Sequence, residues 1–171
     1  MSTLKVNSVL SKTALQILNS TGGILQVVQA WDSTIRSGGG GGYATYTTIA
    51  SPQLTITPSS TTNKILLLAQ ITFASGAAIN AYDTTYRLAR NGSAIGNNPL
   101  SQQGSIGINS REQYELGNGF INYLDSPSTT SAITYSIQVS SGSPSHNWKL
   151  NESGSGGDTG VTCIVAMEVT G

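Results

Sequence analysis

"LDSPSTTSAITYSIQV", residues 124–139, divides into a turn and a strand. Asp125-Ser126-Pro127-Ser128 is a turn signal, because Asp and Ser side chains bond nearby backbone and Pro presets φ. Beyond it Ile133, Tyr135, Ile137 and Val139 alternate with Thr134, Ser136, Gln138 and Ser140, the period-2 pattern of a strand with one buried face. The opposite face is expected to meet water through hydroxyl and amide groups rather than charge.

The same grammar runs outward along the chain. From Ile24 the segments "ILQVVQAW", "YATYTTIA", "QLTIT", "NKILLLAQITFA", "TTYRLARN", "NGFINYL", "AITYSIQV" and "GVTCIVAMEV" read as strands separated by turn signals. Asn91-Gly92 is a favoured two-residue hairpin turn, since both residues tolerate positive φ. Pro52, Pro58, Pro99, Pro127 and Pro144 are all expected between strands, where no ladder hydrogen bond is lost. Many short strands with no credible helix predict an all-β fold, an antiparallel jelly-roll-like β-sandwich over residues 24–171.

Residues 1–23 read differently. Leu4, Val6, Val9, Leu15, Ile17 and Leu18 form short apolar alternations, too short to bury their own faces and cut off by Asn19-Ser20-Thr21-Gly22-Gly23. We read this segment as an extended arm that needs a partner surface.

Composition narrows the function. Charged residues are 9% of the 171, where about a quarter is usual, and 8 basic residues balance 8 acidic ones. No basic cluster is present to release counterions from a phosphate backbone, which argues against a nucleic-acid partner. Ser and Thr lose little side-chain entropy when ordered, so a hydroxyl-rich surface packs closely against copies of itself. Lys5 and Lys12 interrupt the apolar residues near the start, so no secretion signal is expected, and no apolar run is long enough to insert in a membrane. The lone Cys163, placed on one side with Val161, Val165 and Met167, reads as a small buried apolar residue.

Catalytic chemistry finds little to work with. His146 is the single histidine, and Ser143 and Ser145 beside it lack the strand-turn-helix setting of an activated serine. Glu112 and Glu115 have odd spacing, which puts them on opposite faces of a strand and spoils a paired-carboxylate site. Asp125 at its turn reads as a backbone cap. The loop "SGSGGDTG", residues 153–160, offers one carboxylate, Asp158, where a hard cation wants several. Gly38–Gly42 lacks the Lys-Ser/Thr and the helix of a phosphate cradle and reads as a loop. No metal and no cofactor is expected. Aromatic and polar groups in turn-rich sequence are better candidates: Tyr82, Asp83, His146, Asn147 and Trp148 are the expected contacts to a glycan or protein ligand. Trp31, Tyr46, Phe73 and Tyr135 fall in strand patterns and are expected in the core or a subunit interface.

The opening "MSTLKVNSV", then "NSTGGILQVV" (19–28), "TPSSTTNKILLLAQITF" (57–73), "LDSPSTTSAITYSIQV" and the closing "VAMEV" (165–169) together resemble small tail-fibre-like virion proteins of bacteriophages, those of cyanobacteria and other aquatic bacteria among them. The resemblance implies a virion structural protein, commonly a trimer, that joins other tail or head proteins through its N-terminal region and carries a jelly-roll head. With it, Leu4, Val6, Val9, Leu15, Ile17 and Leu18 are expected to serve attachment and to close a homotrimer around one axis, and the ligand of the loop residues is expected to be a glycan or protein of the host surface. Assembly in the host cytoplasm and release by lysis fit the expected lack of a secretion signal. Two alternatives share the same sequence features: a head decoration or head fibre, and a small capsule-degrading tailspike.

Overall fold

The computed structural model describes residues 23–39, 45–75, 84–96, 107–110, 116–141, 147–153 and 156–171. The described elements are all strands: β1 (Ile24–Asp32), β2 (Arg36–Gly39), β3 (Thr47–Ile56), β4 (Lys64–Ser75), β5 (Thr84–Arg90), β6 (Ser93–Ala94), β7 (Gly107–Ser110), β8 (Gly117–Asp125), β9 (Ile133–Ser141), β10 (Asn147–Leu150) and β11 (Thr162–Val169). Every pairing between them is antiparallel.

Two sheets result. In the first, β4 pairs with β8 along one edge and with β11, then β10, along the other, and β1 and β2 lie outside β11 and β10. In the second, β9 lies between β3 and β5, and β6 and β7 share the far edge of β5. Counting β10 with β11 and β2 with β1, each sheet is four strands wide. The chain crosses between sheets in the order β1, β3, β4, β5–β7, β8, β9, β11, which is the double Greek key of a jelly roll. The expected fold class is the observed one.

The inner faces follow from alternation. Ile65, Leu67, Ala69 and Ile71 of β4 and Ile164 and Ala166 of β11 pack against Tyr86 and Leu88 of β5 and Ile133, Tyr135, Ile137 and Val139 of β9. Phe73 stacks on Tyr86 with ring centroids 5.3 Å apart and joins the two sheets. At one end Asp125 of the first sheet accepts hydrogen bonds from Arg90 and from the Tyr135 hydroxyl (2.6 Å) of the second. The cap expected of Asp125 is therefore corrected: its carboxylate is buried and ties the layers together.

Several local expectations are revised. Ser136, Gln138 and Ser140 are buried too, because β9 is a central strand whose outer side is covered; Gln138 accepts from Arg87 Nε and donates to Thr48 Oγ1 and the Gly92 carbonyl. Pro52 lies inside β3, where pairing with β9 breaks between Thr48 and Gln53; the position is tolerated because β3 is an edge strand. Gly38 and Gly39 belong to β2 rather than to a loop. A Cβ on Gly38 would come within 2.7 Å of the Trp148 ring, so glycine there lets the indole lie flat on the backbone. The Asn91-Gly92 turn is as expected, with φ of 49° and 81° joining Arg90 to Ser93.

The parity of β11 also differs. Thr162, Ile164, Ala166 and Glu168 face inward, and Cys163, Val165 and Met167 face out, so Cys163 is half-buried on the outer side rather than in the core. The polar pair among the inward residues is fully partnered. Thr162 Oγ1 accepts from the Thr72 amide and donates to Asn151, whose amide nitrogen in turn donates to the carbonyls of Asp32 and Thr34. This junction seals the seam where β10 gives way to β11 and β1 to β2.

Candidate functional site

Strand register gives the sandwich two distinct ends. At one, Ile24 pairs with Val169, Val169 with Lys64, and Ile65 with Asp125. Here Gly23 donates its amide to Thr170 Oγ1 and accepts from the Thr170 amide, so Gly23, the residue to which residues 1–22 are linked, lies at this end. At the other end Asn147 pairs with Gly39, Trp148 with Ser75, Phe73 with Gly117, Thr84 with both Ser141 and Ser110, and Thr47 with Val139. Segments 40–44, 76–83, 111–115 and 142–146 all connect to strand ends in this second cluster. β4, 12 residues long, runs between the two ends, a span of roughly 40 Å.

Most of the residues singled out from sequence bear on these ends. Leu4, Val6, Val9, Leu15, Ile17 and Leu18 lie outside the described residues, as do Tyr82, Asp83, His146, Glu112, Glu115, Ser143 and Ser145. Their flanking anchors are described: Tyr82 and Asp83 immediately precede Thr84, and His146 immediately precedes Asn147, both in the second cluster. Asn147 is exposed at the start of β10. Trp148 is on the same strand with its side chain turned into the core, 8% exposed, so its expected place in a loop is corrected. Two residues earlier the sequence has "SPSH", a turn signal, and a four-residue strand after it is too short to register as alternation.

Four carboxylates among the described residues are engaged, that of Asp125 as described above and those of Glu168, Asp32 and Glu152. Glu168, 1% exposed, accepts from Gln26 Nε2, from the Ser59 amide and hydroxyl, and from Asn63 Nδ2 at 2.6–2.7 Å. Burial opposes its charge, but the bonds from Asn63, Gln26 and Ser59 outweigh burial and hold its pKa down at about 2. For Asp32, likewise, burial is outweighed by bonds from Thr34 and Arg36, and its pKa is held at about 2. Glu152 is paired with Lys149 at 3.0 Å. Asp158 takes part through its backbone, exchanging bonds with Ser153. Among the described residues no group of three His, Cys, Asp or Glu is placed to hold a metal ion.

The two outer faces differ sharply. The second sheet carries a polar outer face: the Arg87–Gln138–Thr48 chain, the Thr55–Thr134 hydroxyl pair and Arg87 over the Tyr46 ring at 3.4 Å. The first sheet carries an apolar one. Register aligns Val27, Met167, Leu66 and Leu124 in one row, then Gln29, Val165, Leu68 and Asn122, then Trp31, Cys163, Gln70 and Phe120. Phe120 is 72% exposed and Trp31 65%, so Trp31 lies outside the core. A groove of about 360 Å³ runs between Phe120 and the central strands, lined by Leu68, Gln70, Asn122, Cys163 and Val165. The sequence pattern did not announce this face, because Cys163, Val165 and Met167 read as buried and Trp31 as core or subunit interface, while nothing local marked Phe120 or Leu68 as exposed.

No protein-family model matches the chain, and no curated protein sequence matches it. Among solved structures, the infectious bursal disease virus VP2 subviral particle has a TM-score of 0.43 and 13% identity over 85% of this chain. The T=1 particle derived from infectious bursal virus has a TM-score of 0.39 and 10% identity over the same share. The chain aligns with only 33% and 36% of the lengths of those chains. A likeness of that degree carries no functional argument.

Proposed function

We propose that the chain is a non-enzymatic virion structural protein, a tail fibre or receptor-binding tip that attaches a phage to its host surface. The observation that supports this reading is the polarity of the sandwich. Residues 1–22, with the apolar arm positions, enter at one end, and the segments holding Tyr82–Asp83 and His146–Asn147 leave from the other. An attachment module needs that separation, with one end held by the particle and the opposite end presented outward. Binding residues concentrate on loops carried by a rigid scaffold, and a jelly roll is such a scaffold. With three copies side by side, weak contacts at each tip add up, because the first encounter raises the effective concentration for the next.

Immunogold labelling of purified virions tests this reading. Label at the tail tip is the expected result; label over the capsid replaces it with the head-fibre reading, and absence from virions rejects both. Tyr82→Ala with His146→Ala should weaken binding to host cells and leave the melting temperature unchanged. Release of reducing ends from host capsule by the purified protein would instead establish the tailspike reading.

A further inference from the structure

We infer that the apolar outer face of the first sheet is a self-association surface, covered by further copies of this chain. The inference rests on reading the chain as an assembly subunit and names the partner of that subunit. Three features of the face favour its own copy over a foreign protein or a charged surface.

The first is size. Four strands about 4.8 Å apart and three rows about 6.7 Å apart give a flat footprint of roughly 400 Å². Side chains standing off the sheet, Phe120 and Trp31 above all, enlarge this toward the roughly 800 Å² per partner of a stable interface. The second is charge. No ionisable carboxylate or amine stands in the three rows, so an acidic or basic partner finds nothing to pair with, while an uncharged face suits its own copy. A net charge of +0 removes the repulsion between copies. The third is shape. Phe120 projects from β8 directly beside the groove lined by Leu68, Cys163 and Val165, so projection and recess lie on one surface. Phe120 of one copy can fill the groove of the next, a self-complementary arrangement that a closed ring or a two-fold pair both satisfy.

Light scattering on the full-length protein at micromolar concentration should give a mass of at least two chains of 17.7 kDa each. Phe120→Asp combined with Leu68→Glu should reduce the mass to that of one chain; both side chains point outward, so the cooperative melt should persist. Cys163, half-buried on this face, supplies a second readout. Its alkylation by a maleimide should be at least tenfold slower in the assembled protein than in the double variant. A wild-type monomer with rapidly alkylated Cys163 overturns the inference. So does an oligomer whose Cys163 reacts fast, since copies then meet through another surface. A monomer whose Cys163 is protected until residues 2–22 are removed overturns it in favour of the chain's own N-terminal segment as the cover. Absence of the protein from virions sinks the virion reading and leaves these outcomes unaffected.

Discussion

Single side chains carry the clearest physical tests. Trp148 fills the space over Gly38, so Trp148→Ala leaves a cavity and should destabilise the fold by about 3–5 kcal/mol in denaturant melts, with host binding lost only in proportion to folded protein. Unchanged stability with selective loss of binding would return Trp148 to the contact surface. Glu168 gives a pH test. Its pKa falls from 4.5 to about 2 on folding and that of Asp32 from 3.8 to about 2, so each contributes stability that is complete above its unfolded value. That contribution is lost as the pH falls from about 4.5 toward 2. Glu168→Gln should flatten the decline in urea midpoint across that window; parallel curves for variant and wild type would assign the acid sensitivity elsewhere.

At the level of strands, what the sequence made legible depended on how cleanly each one alternates. β9 was readable because Ile133, Tyr135, Ile137 and Val139 are all large and apolar on one side. β11 was not, because both of its sides carry apolar groups: Cys163, Val165 and Met167 looked like the core set, whereas the true inward set contains Thr162 and Glu168. Those two are tolerated inside through partners supplied by β4, by Gln26 of β1, by the 57–63 connection and by Asn151, which no local pattern announces. β2 and β10 are four residues each, one of them half glycine, and read as loops. The end-to-end separation of arm and loop anchors was equally invisible, since it depends on which strand ends register together. Asn151 tests the junction between elements. It has φ of 61° and three side-chain hydrogen bonds, so Asn151→Gly keeps the backbone conformation easy while stranding the Thr162 hydroxyl and two carbonyls. A loss of about 2–4 kcal/mol is expected from unsatisfied buried groups, with Asn151→Ala worse. If glycine is as stable as wild type in chemical unfolding, the network contributes little.

For the molecule as a whole, both sheets supply their own opposed faces from β1 onward, so a chain beginning at Gly23 should keep its strand signature in circular dichroism and lose incorporation into virions. Insolubility of that shortened chain would mean that residues 1–22 belong to the sandwich. The rims of the second sheet bear on a hazard any strand-rich, weakly charged protein faces. One rim is β3, which Pro52 deprives of a backbone donor midway and whose ladder is broken between Thr48 and Gln53; the other is split between the short β6 and β7. Neither offers a long straight template on which a stranger's backbone could zip, so runaway fibril growth by strand addition is blocked along this sheet. Copies at high local concentration can then meet without seeding amyloid from those rims.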